Sequence, residues 1–438
     1  MSHTTKNMDT TSSMECSHVS NMWRLDENAE AEALACMQNL ANWAPAVEEI
    51  ANWPEYSPQP LHSLSNYAKK IGVRNLYVKD ESKRFGIELG SFKALGAPYA
   101  VYKILCHEVF KSQGVRPTAA ELRSGRYRNV TEQVTVCVAT DGNPGRSLAY
   151  GAKIFGCRCV DYIHGHVSEG RRKKMMYYGA VVIRIDGEYE NAVERAKEDA
   201  RMNEWHFVSS TSWSDFDEDI PQNVMNAYMV VVDETLSRLP AVNQITHVFV
   251  CGGVGSIAAA VFQGFHTYLK NDGRDHSQIP RFIVVEPSEA DCLLQSAKHG
   301  VPKQSAGSLR TCMAGLTCRA PSPAAWKILK WLTSDFLAVP DSFAVDGMRI
   351  LASGGEGDVP LVIGESSAAS MGILAASKND AKLREQLGLR HDSQVLLFGL
   401  EGATDPDIYH QLVGMPPTAV FEAQEKYWSR TSTTSYSR

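Results

Sequence analysis

Residues 246–269, THVFVCGGVGSIAAAVFQGFHTYL, decide the fold. The run HVFVC ends in Gly252-Gly253-Val254-Gly255-Ser256 and passes directly into an alanine-rich stretch with helical spacing. A short apolar run bounded in this way predicts a strand buried on both faces, as in a parallel sheet. The glycines put backbone N–H groups at a helix N-terminus, which makes an anion site suited to a phosphate. A tight turn with no ligand is the other reading of the glycines taken alone. The spacing is not GxGxxG, which argues against a dinucleotide.

The same alternation runs outward in both directions. NLYVKD (75–80) precedes SFKALGAPYAVYKILCHEVF (91–110), and VTVCVAT (134–140) precedes PGRSLAYGAKIFG (144–156). CVDYIHG (159–165) precedes SEGRRKKMMYYG (168–179), and AVVIRIDG (180–187) precedes YENAVERAKEDARMN (189–203). RFIVVEP (281–287) and SQVLLFGLEG (393–402) complete the series. Each strand-then-helix unit implies a parallel strand with its crossover helix, hence an α/β layered fold. With 438 residues the chain exceeds what one core usually organises, so two lobes are expected. The Ser-, Thr-, Asn- and Met-rich N-terminus (1–30) reads as a mobile arm, and 421–438, ending YWSRTSTTSYSR, as a C-terminal tail.

Composition narrows the function. The apolar fraction is 44% and the charged fraction 21%, those of an ordinary globular protein. A formal charge of −6 gives no basis for holding nucleic acid, so a small substrate is expected. No run approaches a membrane span and the first residues lack an apolar signal core, so a cytoplasmic location is expected. The ten cysteines are scattered, with no zinc-knuckle spacing; they read as reduced thiols, and no metal is expected.

Two further segments carry chemistry. Asp141-Gly142-Asn143-Pro144-Gly145-Arg146 follows a buried-type strand and opens a helix, at the strand end where open α/β sheets place ligands. A Gly-Asn-Pro-Gly turn also arises for conformational reasons alone, and Asp141 has the alternative of a helix N-cap. Lys93 lies in Gly90-Ser91-Phe92-Lys93-Ala94-Leu95-Gly96, at the start of an apolar helix, where a lone lysine is ordinarily surface. Together the three elements change the reading. A lysine that can lose its proton when desolvated, an asparagine loop for a phenolic oxygen and a glycine nest for a phosphate are the parts that pyridoxal 5'-phosphate (PLP) requires.

In this order, Ser91-Phe92-Lys93, Gly142-Asn143-Pro144-Gly145 and Gly252-Gly253-Val254-Gly255 resemble the fold-type II, tryptophan-synthase-like PLP enzymes, and within them the diaminopropionate ammonia-lyases. The likeness runs over roughly residues 58 to 412. It includes Val78–Gly86 (VKDESKRFG), Val284-Val285-Glu286-Pro287, Met313-Ala314-Gly315-Leu316, Gly364-Glu365-Ser366, and Glu401-Gly402 with Thr404-Asp405. The resemblance implies two lobes, each with a mainly parallel twisted sheet flanked by helices. The larger, PLP-binding lobe would take 31–103 and 230–420, and the smaller, substrate-side lobe 104–229. It implies Lys93 as the Schiff-base residue and Phe92, Asn143, Gly252, Gly253, Val254, Gly255 and Ser256 as further cofactor contacts. Lys93 or Asp141 would take the α-proton according to substrate handedness, and Ser210, Glu365 and Ser91 would meet the substrate. The implied reaction is β-elimination through aminoacrylate, giving pyruvate and ammonia, in a homodimer.

Three positions depart from the family. Pro144 replaces a histidine, Ser210 replaces an aspartate when Trp205 through Trp213 are aligned, and Gly399-Leu400 replaces Ser-Thr near the pyridine nitrogen. Leu400 neither donates nor accepts a hydrogen bond. Ser210 supplies no charge for a distal amine, so diaminopropionate is expected to be handled less well than substrates with better leaving groups. Two alternatives accompany this reading. A β-replacement enzyme would consume an added nucleophile, and a non-catalytic interaction protein of this fold would have no chemical need for Lys93.

Overall fold

The computed structural model describes residues 16–24, 43–140, 142–209 and 219–435. Seven strands form one sheet in the order β1-β10-β9-β8-β11-β3-β2 and four form another in the order β6-β5-β4-β7. In the first, β10 (Asp335–Val339), β9 (Arg281–Pro287), β8 (His247–Cys251), β11 (Gln394–Gly399) and β3 (Asn75–Asp80) run parallel. Antiparallel β1 (Ser17–Ser20) and β2 (Leu61–Ser63) close its edges. In the second, β6 (Val181–Ile185), β5 (Arg158–His164), β4 (Thr135–Ala139) and β7 (His206–Phe207) are all parallel. The apolar sequence runs explain the placement, since every residue of β8, β10 and β11 is buried. Helices cover both faces, as parallel sheets require. The edge strand β6 (VVIRI) has no fully buried residue.

The α/β class therefore holds, and two expectations about the termini are corrected. Residues 17–20, expected within a mobile arm, pair with β10, and Asn21 binds Ser334 O through its amide and Thr333 O, at 2.7 Å, through its side chain. The C-terminal tail is helical over Pro417–Ser435. Its Val420 and Gln424 are buried, Gln424 accepts from Lys83 Nζ at 2.9 Å, and Trp428 stacks on His62. Apolar residues spaced along one face override the Ser/Thr-rich composition.

Four charges lie buried where β3 ends. Lys79 Nζ reaches Glu81 Oε1 and Glu234 Oε2, each at 2.7 Å. Arg84 reaches Glu81 Oε2 at 2.7 Å and Glu234 Oε2 at 2.8 Å. Glu234 comes from the helix Asp219–Arg238, so the quartet ties that helix to β3 and to the loop after it. The same loop is stitched at its far end to the segment after β11. There Phe92 N donates to Leu400 O at 3.0 Å and Gly402 N to Gly90 O at 2.9 Å. Gly90 has φ +45°, and a Cβ there would lie 2.8 Å from Ser82 O, so only glycine fits this turn.

Burial alone would raise the Glu234 pKa, but Arg84 and Lys79 hold it down at about 2. Its contribution to stability is therefore complete above its ordinary value of 4.5 and is lost as pH falls through about 2. Glu234→Ala leaves two buried cations sharing one carboxylate, and it should lower the urea-unfolding free energy by about 3–5 kcal/mol. A loss below about 1 kcal/mol would mean that the quartet is not a buried network of this kind.

Candidate active site

A cavity of about 440 Å³ opens at the carboxyl ends of β4, β8 and β11, where strand-to-helix turns converge. Lys93 is the first residue of the helix Lys93–Gln113 and lines it. Its Nζ stands 4.8 Å from the centre of the Phe92 ring, which packs in turn on Tyr228. Ser91 is fully buried and is not among the cavity-lining residues; its Oγ accepts from the Lys93 amide at 3.3 Å, so it shapes the turn that presents the lysine.

Asn143 opens the helix Asn143–Phe155 and also lines the cavity. Its Oδ1 accepts from Arg146 Nη2 at 2.8 Å and its Nδ2 donates to Glu401 Oε2 at 2.6 Å. A guanidinium only donates and a carboxylate only accepts, so the amide orientation follows from its partners. Arg146 is itself buried and donates to Leu89 O at 2.8 Å. Burial lowers its pKa to about 10, which leaves it charged at neutral pH. Thr140 Oγ1 accepts from the Gly142 and Gly145 amides, each at 3.0 Å, and so builds the turn before Asn143. Asp141 and Ser210 lie outside the described residues.

Gly252, Gly253, Val254 and Ser256 line the cavity, whereas Gly255 faces away from it. A Cβ at Gly252 would lie 2.6 Å from Glu286 Cγ, and one at Gly255 2.8 Å from Leu329 Cδ1. Gly253 and Gly255 have φ of +63° and +96°, so the turn is built for glycine. Glu286 supports it from behind, accepting from the Leu293 and Leu294 amides at 3.0 and 2.8 Å, while burial raises its pKa to about 8.

A further part of the lining is rich in acceptors. Glu365 begins the helix Glu365–Ser377, is buried, and faces Arg171 Nη2 at 3.8 Å. Burial first, and then the charge of Glu401, raises its pKa to about 8. Ser366 Oγ and Glu401 Oε1 are buried with no hydrogen-bond partner among the described residues. Gly315 opens the gap between them: a Cβ there would lie 2.9 Å from Ser366 Oγ and 3.8 Å from Glu401 Oε2. Leu400 presents its apolar side chain to the cavity, while its amide donates to Ser367 Oγ at 3.0 Å. Sequence reasoning missed Glu401, Ser366 and Arg171 as cavity residues. The first two stood within recognised segments, but Arg171 lies in the run RRKK, which reads as a solvated face.

The pyridoxal-phosphate dependent enzyme family matches residues 53–398, and the chain belongs to that family. Within it, the chain is similar to diaminopropionate ammonia-lyases. It is 35% identical to that of Salmonella typhimurium over 368 residues, which cover 82% of this chain and 89% of the relative. The holo diaminopropionate ammonia-lyase of Escherichia coli superposes with a TM-score of 0.80 at 29% identity, covering 91% of this chain and 97% of that one. The Escherichia coli enzyme in complex with D-serine gives a TM-score of 0.78 with the same identity and coverage. The cavity fits PLP. It offers a lysine amine for an aldehyde and, for a phosphate, a turn whose left-handed backbone at Gly253 calls for glycine.

Gly253→Ala probes the turn without a clash, because its Cβ would find nothing closer than Leu316 Cδ2 at 3.4 Å. The left-handed backbone should cost the fold only about 1–2 kcal/mol. Retention of PLP, followed by fluorescence titration, should weaken about tenfold or more. Wild-type affinity in that variant would place the phosphate elsewhere.

Proposed function

We propose that this chain is a PLP-dependent carbon–nitrogen lyase acting on a small β-substituted amino acid of the diaminopropionate type. The α-proton and the β-amino group are removed, and hydrolysis of the remainder gives pyruvate and a second ammonia. The observation that carries this reading is the convergence of Lys93, Asn143 and the Gly252–Ser256 turn on one cavity.

PLP, when bound, draws electron density from the α-carbon of the attached amino acid and so makes its proton removable. Lys93 would hold the cofactor covalently through Nζ, and the same amine, when free, would take the α-proton. Asp141 would do so for the opposite handedness. Asn143 would hold the ring through Nδ2, and the backbone N–H groups of Gly253, Val254 and Ser256 would hold the phosphate, those of Gly252 and Gly255 donating to Val285 O and Gly252 O. Phe92, Val138 and Leu400 give the cavity apolar walls that keep water from the ring.

The larger, cofactor-binding lobe takes 31–103 and 230–420, around the seven-stranded sheet, and the smaller lobe 104–229, around the four-stranded one. The resemblance supports a homodimer. The nine described cysteines are free thiols, which supports a reducing, cytoplasmic setting. None of the described helices is long and apolar enough to cross a membrane.

The test is release of pyruvate and ammonia from diaminopropionate, serine, O-acetylserine and cysteine, with and without added nucleophiles. Elimination without a nucleophile is expected, and Lys93→Ala should lower kcat by about 10²–10⁴-fold. Turnover only with a nucleophile would make this a β-replacement enzyme. Wild-type turnover in Lys93→Ala would remove the lysine from the reaction.

A further inference from the structure

We infer that Glu365, Glu401 and Ser366 form an ammonium-binding subsite that recognises the distal amine of a diamino substrate. The inference rests on the lyase reading above and names what selects the substrate within it.

Ser366 and Glu401 are each 4% exposed, and both leave a buried oxygen without a partner among the described residues. A buried polar atom left unpaired costs free energy, so oxygens of this kind mark where a ligand's donors belong. Ser366 Oγ borders the space that Gly315 leaves open, and the Glu401 carboxylate reaches it through Oε2, the oxygen that Asn143 holds. Glu365 faces the same cavity from the residue beside Ser366, and Glu401 packs against Gly364, where a Cβ would lie 2.9 Å from its Cγ.

Charge decides the ligand class. Glu365 is surrounded by Glu401 from the segment after β11, Asp405 from the start of the helix Pro406–Val413, and Arg171 from the helix Glu169–Tyr177. The thiol of Cys312 is also near enough to feel its charge. Arg146 also acts on Glu401 and Lys174 on Asp405, so the selection comes from the two unpaired oxygens themselves: both can accept, one belongs to a carboxylate, and a donor-only cation matches them where an anion does not. An ammonium has three donors and no acceptor, matching two carboxylates and a hydroxyl; a hydroxyl substituent, as in serine, brings one donor and no charge. Glu365 and Glu401 would supply the carboxylate that the sequence expectation found missing at position 210.

A proton accompanies the binding. Glu365 titrates near 8 in the free protein because of its burial and of Glu401, so it holds a proton at neutral pH. A cation arriving between the carboxylates favours the ionised form and displaces that proton. Diaminopropionate should bind with proton release, and serine without it.

The experiment mixes holoenzyme rapidly with 2,3-diaminopropionate or serine. The initial spectral change gives Kd before turnover, and an indicator dye reports protons. Glu365→Gln should weaken diaminopropionate about ten- to a hundred-fold, change serine less than about threefold, and abolish proton release. Ser366→Ala, which removes no charge, should shift the same preference in the same direction by a smaller factor, and it carries the comparison if Glu365→Gln does not fold. Equal weakening of both ligands, or of neither, overturns the subsite while the lyase reading stands. Failure of the wild type to bind either amino acid overturns both.

Discussion

Two positive and two negative charges sealed under the end of β3 set the frame on which the site depends. Lys79, Glu81, Arg84 and Glu234 neutralise one another away from water. Coulomb attraction in such a network is largely offset by the cost of desolvation, so its main effect is directional. One arrangement of β3, of the loop after it and of the helix Asp219–Arg238 satisfies all four groups. The loop then leaves the quartet at a defined angle, pairs with Leu400–Gly402, and delivers Lys93 at a helix start beside the cavity.

From that frame the cavity divides by polarity. The glycine turn after β8 presents backbone donors and the positive end of a 16-residue helix, which suits an anion. Glu365, Glu401 and Ser366 present acceptors, which suits a cation. Lys93 and Asn143 also line the cavity, and Asn143 is held rigidly by Arg146 and Glu401. A ligand carrying both a phosphate and an ammonium would find a complement for each. The group that reacts would lie near the lysine.

The parts of this arrangement that were legible in the sequence are local. The strand, glycine turn and helix of 246–269 lie in one stretch, as do Lys93 and Asn143 in theirs, and the apolar runs of β8 and β9 announce a parallel sheet. The illegible parts are pairings across the chain. Asn143 meets Glu401 at a separation of 258 residues, and Arg84 meets Glu234 at 150. No spacing rule announces such contacts. The C-terminal helix was misread because its serines and threonines outweigh, in composition, the few residues that anchor it. Arg171 was hidden in a basic run in which Lys173 is exposed, Arg172 pairs with Glu169 and Lys174 donates to Thr404 O.

The claim on which the account turns is that Lys93 is where the cofactor is bound, and covalent labelling tests it most directly. Borohydride reduction of the PLP-loaded protein, followed by peptide mapping, should place the pyridoxyl label on the peptide containing Ser91-Phe92-Lys93. A stoichiometric label on any other lysine, or no label on a protein that retains PLP, would contradict it.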